Sequence, residues 1–100
     1  MNILIPMDNK NIDEAQITKI EELKIWIQVK VEDGKIVSIK ENDNWDGFEE
    51  FSEIVVVNSD SEYTWNFVEQ NMAILVAHFQ KSIDDIIEAY LFKELNEQAY

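Results

Sequence analysis

The chain of 100 residues contains no cysteine and no arginine, a single proline, a single histidine and two glycines. Without cysteine there is no disulfide framework, no thiolate zinc site and no cysteine-ligated iron–sulfur cluster. One imidazole, His78, leaves no second histidine for a closed transition-metal centre, which takes about four strong ligands. With only Gly34 and Gly47 there is neither a P-loop nor a glycine-rich dinucleotide fingerprint. No apolar run approaches the roughly 20 residues needed to cross a bilayer. The opening "MNILIPMDNK" lacks the basic region and the longer apolar stretch of a signal peptide. A soluble, cytoplasmic protein with no membrane association is the expectation.

What the chain does have is acid. Twenty-one Asp and Glu face eight lysines, for a formal charge of -13, and the nine acids from Glu41 to Glu69 meet no base between Lys40 and Lys81. Nucleic-acid binding depends on cations that neutralise phosphates, so this balance excludes a nucleic-acid partner. A solvated surface accounts for the acids; the same surface would suit a basic protein partner. At 46% hydrophobic, with three Trp and five Phe, the chain is too apolar to stay disordered. One hundred residues suit a single domain, 1–100, with a modest core.

Hydrophobic periodicity orders the elements. "NILIP" is a short apolar strand that Pro6, having no N–H, is expected to close. "MDNKNIDEAQITKIEE" is polar and weakly patterned, a loop with at most one helical turn. "KIWIQVKV" alternates, placing Ile25, Ile27, Val29 and Val31 on one face. Trp26, Gln28 and Lys30 share the other face, where a covering helix would make Trp26 a core residue. The return strand "KIVSIK" offers Val37 and Ile39. A two-residue Asp33-Gly34 loop would set Val29 against Ser38, whereas a three-residue loop from Glu32 to Gly34 pairs Val29 with Val37 and Ile27 with Ile39. Because a one-residue slip flips every side chain, the three-residue turn with Gly34 in the left-handed region is the expected one.

Downstream, Trp45, Phe48 and Phe51 recur at a spacing of three and predict a short helix in "NDNWDGFEEFSE". "EIVVVN" and "MAILVA" are continuous apolar runs, as expected of parallel strands covered on both faces. Between them, Ser59-x-x-Glu62 forms a capping-box pattern ahead of a helix that sets Tyr63 against Phe67. After them, Ser82-x-x-Asp85 caps a helix over "KSIDDIIEAYLFKELNEQAY" whose stripe is Ile83, Ile86, Ile87, Tyr90, Leu91 and Leu95. The order β-β-β-α-β-α-β-α implies an α/β domain with a mixed five-stranded sheet, order 3-2-1-4-5, and helices on both faces. That is a three-layer, ribonuclease-H-like arrangement.

The strand "MNILIPMD", the hairpin "WIQVKVEDGKIVSIKEN" and the βα units that follow resemble the dinitrogenase iron–molybdenum cofactor biosynthesis domain. The motifs cover the first 42 residues, and the rest matches by topology. The resemblance implies a ribonuclease-H-like fold and a small non-enzymatic protein related to those that bind or carry nitrogenase cofactor precursors. The chain departs from that pattern at two places. "ITKIEELKIW" stands where the family tends to have a His-Phe-Gly segment, and "AHFQKS" where it tends to have a glycine-rich loop. The usual cluster ligand and the glycines that admit a ligand near the backbone are therefore missing, and a divergent accessory protein is expected. The other reading is an acidic protein-interaction module with no small ligand.

Ligands of open α/β sheets sit beyond the carboxyl ends of the parallel strands. Here those ends carry Asp8, Asn58 with Ser59 and Asp60, and His78, so Asp8, Asn58 and His78 are the candidate cofactor-binding residues. Each has a structural role open to it: Asp8 as a turn residue, Asn58 and Ser59 as helix caps, His78 as a histidine bonded to backbone. No catalytic residue, bound metal or resident cofactor is expected. A two-metal nuclease would need a carboxylate within the first strand, and Asp8 follows it.

Overall fold

A computed structural model of the chain describes residues 1–98. Strands β1 (Asn2–Met7), β2 (Ile25–Glu32), β3 (Lys35–Asn42), β4 (Ile54–Val57), β5 (Ala73–Val76) and β6 (Asn96–Glu97) form one sheet, with helices α1 (Trp65–Glu69) and α2 (Ile83–Leu91). The strand order is 3-2-1-4-5-6. β1 runs parallel to β4 and β4 to β5, while β1–β2, β2–β3 and β5–β6 are antiparallel. The expected order 3-2-1-4-5 is thus present and extended by a sixth, two-residue strand at the edge of β5. No helix among the described residues is long and apolar enough to cross a membrane.

The alternation of side chains divides the core in two. Ile3, Ile5 and Met7 of β1, Ile25, Ile27, Val29 and Val31 of β2, and Ile54 and Val56 of β4 face one way. There they pack under Ile83, Ile86 and Ile87 of α2, the stripe that the i, i+3, i+4 spacing predicts. Leu4, Trp26, Val55, Val57, Ile74 and Val76 face the other way and meet Phe67 of α1 and Met72. Trp26 is accordingly a core residue. The second face is only partly helical, because α1 buries Phe67 alone and irregular chain brings in Trp45 and Phe48.

Four local expectations are corrected. First, Pro6 does not end β1, which continues to Met7. The Pro6 carbonyl accepts from Thr18 N at 3.0 Å, and β1 pairs with β4 only at Ile3 and Leu4. Pro6 thus turns its polar edge to the side where the parallel ladder has already finished, and no ladder donor is missed.

Second, the hairpin turns on two residues, Asp33 (φ 53°) and Gly34 (φ 75°), with Glu32 opposite Lys35 and Val31 opposite Ile36. Positive φ at both positions is the type I′ turn, whose twist matches the strands. The inward face of β3 is matched to that of β2 by another device. The register shifts between Lys30 and Val31, so Val37 is left over as a bulge and Val29 pairs with Ile39. Val37 is 55% exposed, while Ile39 packs against the α2-side core. Ile27 lies opposite Glu41 rather than Ile39.

Third, no helix forms over Trp45–Phe51. Asn42 Oδ1 accepts from Asn44 N at 2.9 Å and Asn42 Nδ2 donates to the Gly47 carbonyl at 3.1 Å. This side chain lies so close that a Cβ at Gly47 would collide with Asn42 Oδ1. Side-chain bonds to the backbone compete with the helix here and win. Fourth, both later helices are shorter than expected. α1 starts at Trp65, not at the Ser59 cap, which leaves Tyr63 exposed. α2 starts as predicted, with Ser82 Oγ accepting from Asp85 N at 3.1 Å, but stops at Leu91. Lys93 then adopts φ 59°, Lys93 N donates to Tyr90 O (3.1 Å) and Glu94 N to Ala89 O (2.8 Å). That is a Schellman ending with lysine where glycine is usual. The same ending follows α1, at Asn71 with φ 61°. Of the helix expected up to Tyr100, positions 99 and 100 lie outside the described residues.

Candidate functional site

The parallel strands β1, β4 and β5 end on one rim of the sheet, and the three candidate residues follow them directly. Asp8 is exposed and committed to its own loop. Its Oδ1 accepts from Gln16 N at 2.9 Å, and its N–H donates to the Gln16 carbonyl at 2.9 Å. Asn58 follows β4; its N–H donates to Glu62 Oε2 at 2.7 Å. Its Oδ1 is buried with no partner among the described residues, a condition that costs about 1–3 kcal/mol. His78, after β5, places Nε2 3.6 Å from Asp60 Oδ2 with its side chain about one-third exposed. No hydrogen bond joins Asp8, Asn58 and His78 to one another. The contact that forms is Asp60 with His78, tying the loop after β4 to the loop after β5.

Glu62 organises this rim more than the sequence pattern suggests. Oε2 takes the Asn58 and Ser59 N–H groups, at 2.7 and 3.4 Å, and Oε1 takes Ile20 N at 2.6 Å. The reach back to Ser59 is half of the capping box. The other half is absent, since Ser59 Oγ sits 3.0 Å from Ser61 Oγ and helical geometry starts later. Gln98 is the second residue that periodicity misses. Its Nε2 donates to the carbonyls of Asp60 (3.2 Å) and Glu62 (3.0 Å), and its Oε1 accepts from Thr64 Oγ1. A glutamine inside an assumed terminal helix carries no sign of such a role. Only the turn at Lys93 brings it back against the loop after β4.

Beside Glu62, a hollow of about 510 Å³ has Trp26, Trp45, Tyr63 and Phe67 on its walls and Lys19 at its edge. Phe67 meets Trp26 and Trp45 edge to face, with ring centroids 5.7 and 5.1 Å apart. Aromatic walls with a few polar groups are the usual composition of a small-molecule cleft.

The chemistry available at the rim is modest. Among the described residues, no three His, Cys, Asp or Glu side chains come together closely enough to hold a metal ion. Met7 and Met72 are buried in the core and their thioethers are not offered to the rim. The shifted titrations lie elsewhere: hydrogen bonding to Glu50 raises Lys30, and the same bond lowers Glu50. Their atoms are 3.1 Å apart on the solvent side of β2.

No family model and no curated protein matches the chain by sequence. Solved structures do match in shape. The solution structure of a provisionally named dinitrogenase, MJ0327 of Methanococcus jannaschii, superposes with a TM-score of 0.77 at 20% identity, over 100% of this chain and 94% of that one. The crystal structure of PH0822 gives 0.76 at 14% identity, over 97% and 96%. A provisionally named NifB protein from Thermotoga, of the DUF35 family, gives 0.67 at 12% identity, over 99% and 95%. At such identities the likeness is one of fold. It reaches nearly the whole chain, well past the opening strand and hairpin that carry the resemblance in sequence.

Proposed function

We propose that this protein is a small, non-enzymatic accessory protein of the nitrogenase cofactor-biosynthesis kind, ribonuclease-H-like in fold, that has lost fixed cluster ligands. The observation that carries the reading is the superposition of almost the entire chain on proteins named for dinitrogenase and NifB. The rim supports its divergent form. His78 with Asp60 supplies one imidazole and one carboxylate, a pair too small to retain a transition metal tightly. Any cargo held at this rim is held weakly and released readily.

Elemental analysis and cluster titration of the purified protein test the reading. The expected result is no stoichiometric iron, molybdenum or zinc, and a His78→Ala variant that folds normally with metal uptake little changed. One tightly bound metal per chain, lost in His78→Ala, would replace this reading with that of a true carrier.

A further inference from the structure

The described surface holds one apolar side chain more exposed than any other: Phe79, at 86%, directly after His78. It borders a hollow of about 220 Å³ that is floored by Ala89 of α2 and edged by Asp85, Glu88 and Glu94. All three carboxylates are exposed, and among the described residues none has a basic nitrogen within 4.0 Å. Two acids of the middle segment are occupied instead. Glu50 pairs with Lys30 and Lys40, and Glu53 Oε1 accepts from Asn2 N at 2.9 Å. Asp85 and Glu88 of α2, with Glu94 just beyond its end, thus stand open to a partner beside the most exposed of the large apolar side chains.

We infer that the hollow between Phe79 and α2 docks a basic segment of another protein, one that inserts a single aliphatic side chain against Phe79 and Ala89 with lysine or arginine on either side. Charge selects this occupant. A second copy of the chain would bring another formal charge of -13 to the same face and set carboxylates against carboxylates. A lone acidic ligand is repelled for the same reason. An apolar anchor ringed by charge is the arrangement that gives interfaces both affinity and orientation. The inference does not depend on how the rim handles metal, so either reading can fail alone.

The probe is a fluorescently labelled peptide, Gly-Lys-Lys-Leu-Lys-Lys-Gly, followed by anisotropy against the full chain at low and physiological salt. Saturable binding is expected, weakening as salt shortens the Debye length to about 8 Å. Phe79→Ser should weaken it about tenfold, equivalent to roughly 1.4 kcal/mol. The triple variant Asp85→Asn, Glu88→Gln, Glu94→Gln should weaken it by a similar factor and flatten the salt dependence. Neutralising Glu41 and Asp43, which lie outside the hollow, should leave affinity unchanged. Because every altered side chain is exposed, circular dichroism should be the same for all variants. Absence of binding would overturn the inference. So would equal binding by Phe79→Ser, or by the peptide with serine for leucine, since either shows only diffuse attraction to an acidic chain. Dimerisation that depends on Phe79 would assign the hollow to a second copy and also overturn it.

Discussion

Replacing Phe67 with alanine should remove much of the stability of this domain. Phe67 is 1% exposed and is the only fully buried residue of α1, with Val68 partly buried beside it. It joins Trp26, which comes from the sheet, to Trp45, which comes from the irregular segment, through the two edge-to-face contacts. Truncating a buried phenylalanine costs about 3–5 kcal/mol in lost transfer energy and residual cavity. The alternative collapse is restricted, because the rigid sheet lies on one side and the short α1 on the other. Domains of this length have total stabilities of about 5–15 kcal/mol, so Phe67→Ala should remove roughly a fifth of it or more. With about 4–8 °C per kcal/mol, the midpoint should fall by about 12–40 °C. Urea unfolding followed by tryptophan fluorescence is the suitable assay, since two of the three tryptophans touch Phe67. Phe67→Leu, which keeps most of the volume, should lose under about 1.5 kcal/mol. A loss below about 1 kcal/mol for Phe67→Ala would refute the argument that this one ring closes the second face.

Two further substitutions probe the turns. Gly34→Val should destabilise by about 1 kcal/mol or more through backbone strain, because Gly34 holds φ 75° with no atom within 4 Å of a would-be Cβ. Gly34→Asn should lose only a few tenths of a kcal/mol, and equal urea midpoints for the two variants would contradict the type I′ assignment. At Lys93, also at positive φ, Lys93→Gly should stabilise by about 0.5–1 kcal/mol, seen as a higher thermal midpoint; a lower one would show that the lysine side chain contributes more than its backbone strain removes.

The relation between sequence and structure is plainest where two kinds of information compete. Period-two alternation in Ile25–Val31 and the continuous runs of β4 and β5 are statements about burial, and burial is decided by the whole face at once. Those elements, their order and the α2 stripe from Ile83 to Tyr90 were legible, whereas Leu91, expected in that stripe, is exposed. The same holds for the placement of Asp8, Asn58 and His78, which follows from where strands end. Where helices stop was not legible, because Lys93 and Asn71 take the left-handed conformation without glycine to announce it. Their chains turn because the following residues gain contacts elsewhere: Met72 in the Phe67 core, and Gln98 on the carbonyls of Asp60 and Glu62. The hairpin shows the same division. Parity required Val29 and Ile39 on one face, and the chain satisfied it with a bulge at Val37 rather than a longer turn. Pairing parity is a property of the pattern, whereas the residue that absorbs the mismatch depends on local energies that differ by a kcal/mol or less. Likewise, nothing in the string of letters distinguishes the Glu62 carboxylate, which closes three backbone donors, from the carboxylates of α2 that stay open to solvent. The sequence by itself determined the apolar faces of the first five strands and the order in which they are laid down, though not every buried residue, since Val37, Tyr63 and Leu91 are exposed. Only the tertiary structure decided where each polar group finds its partner, because a hydrogen bond depends on atoms that the chain brings together from far apart.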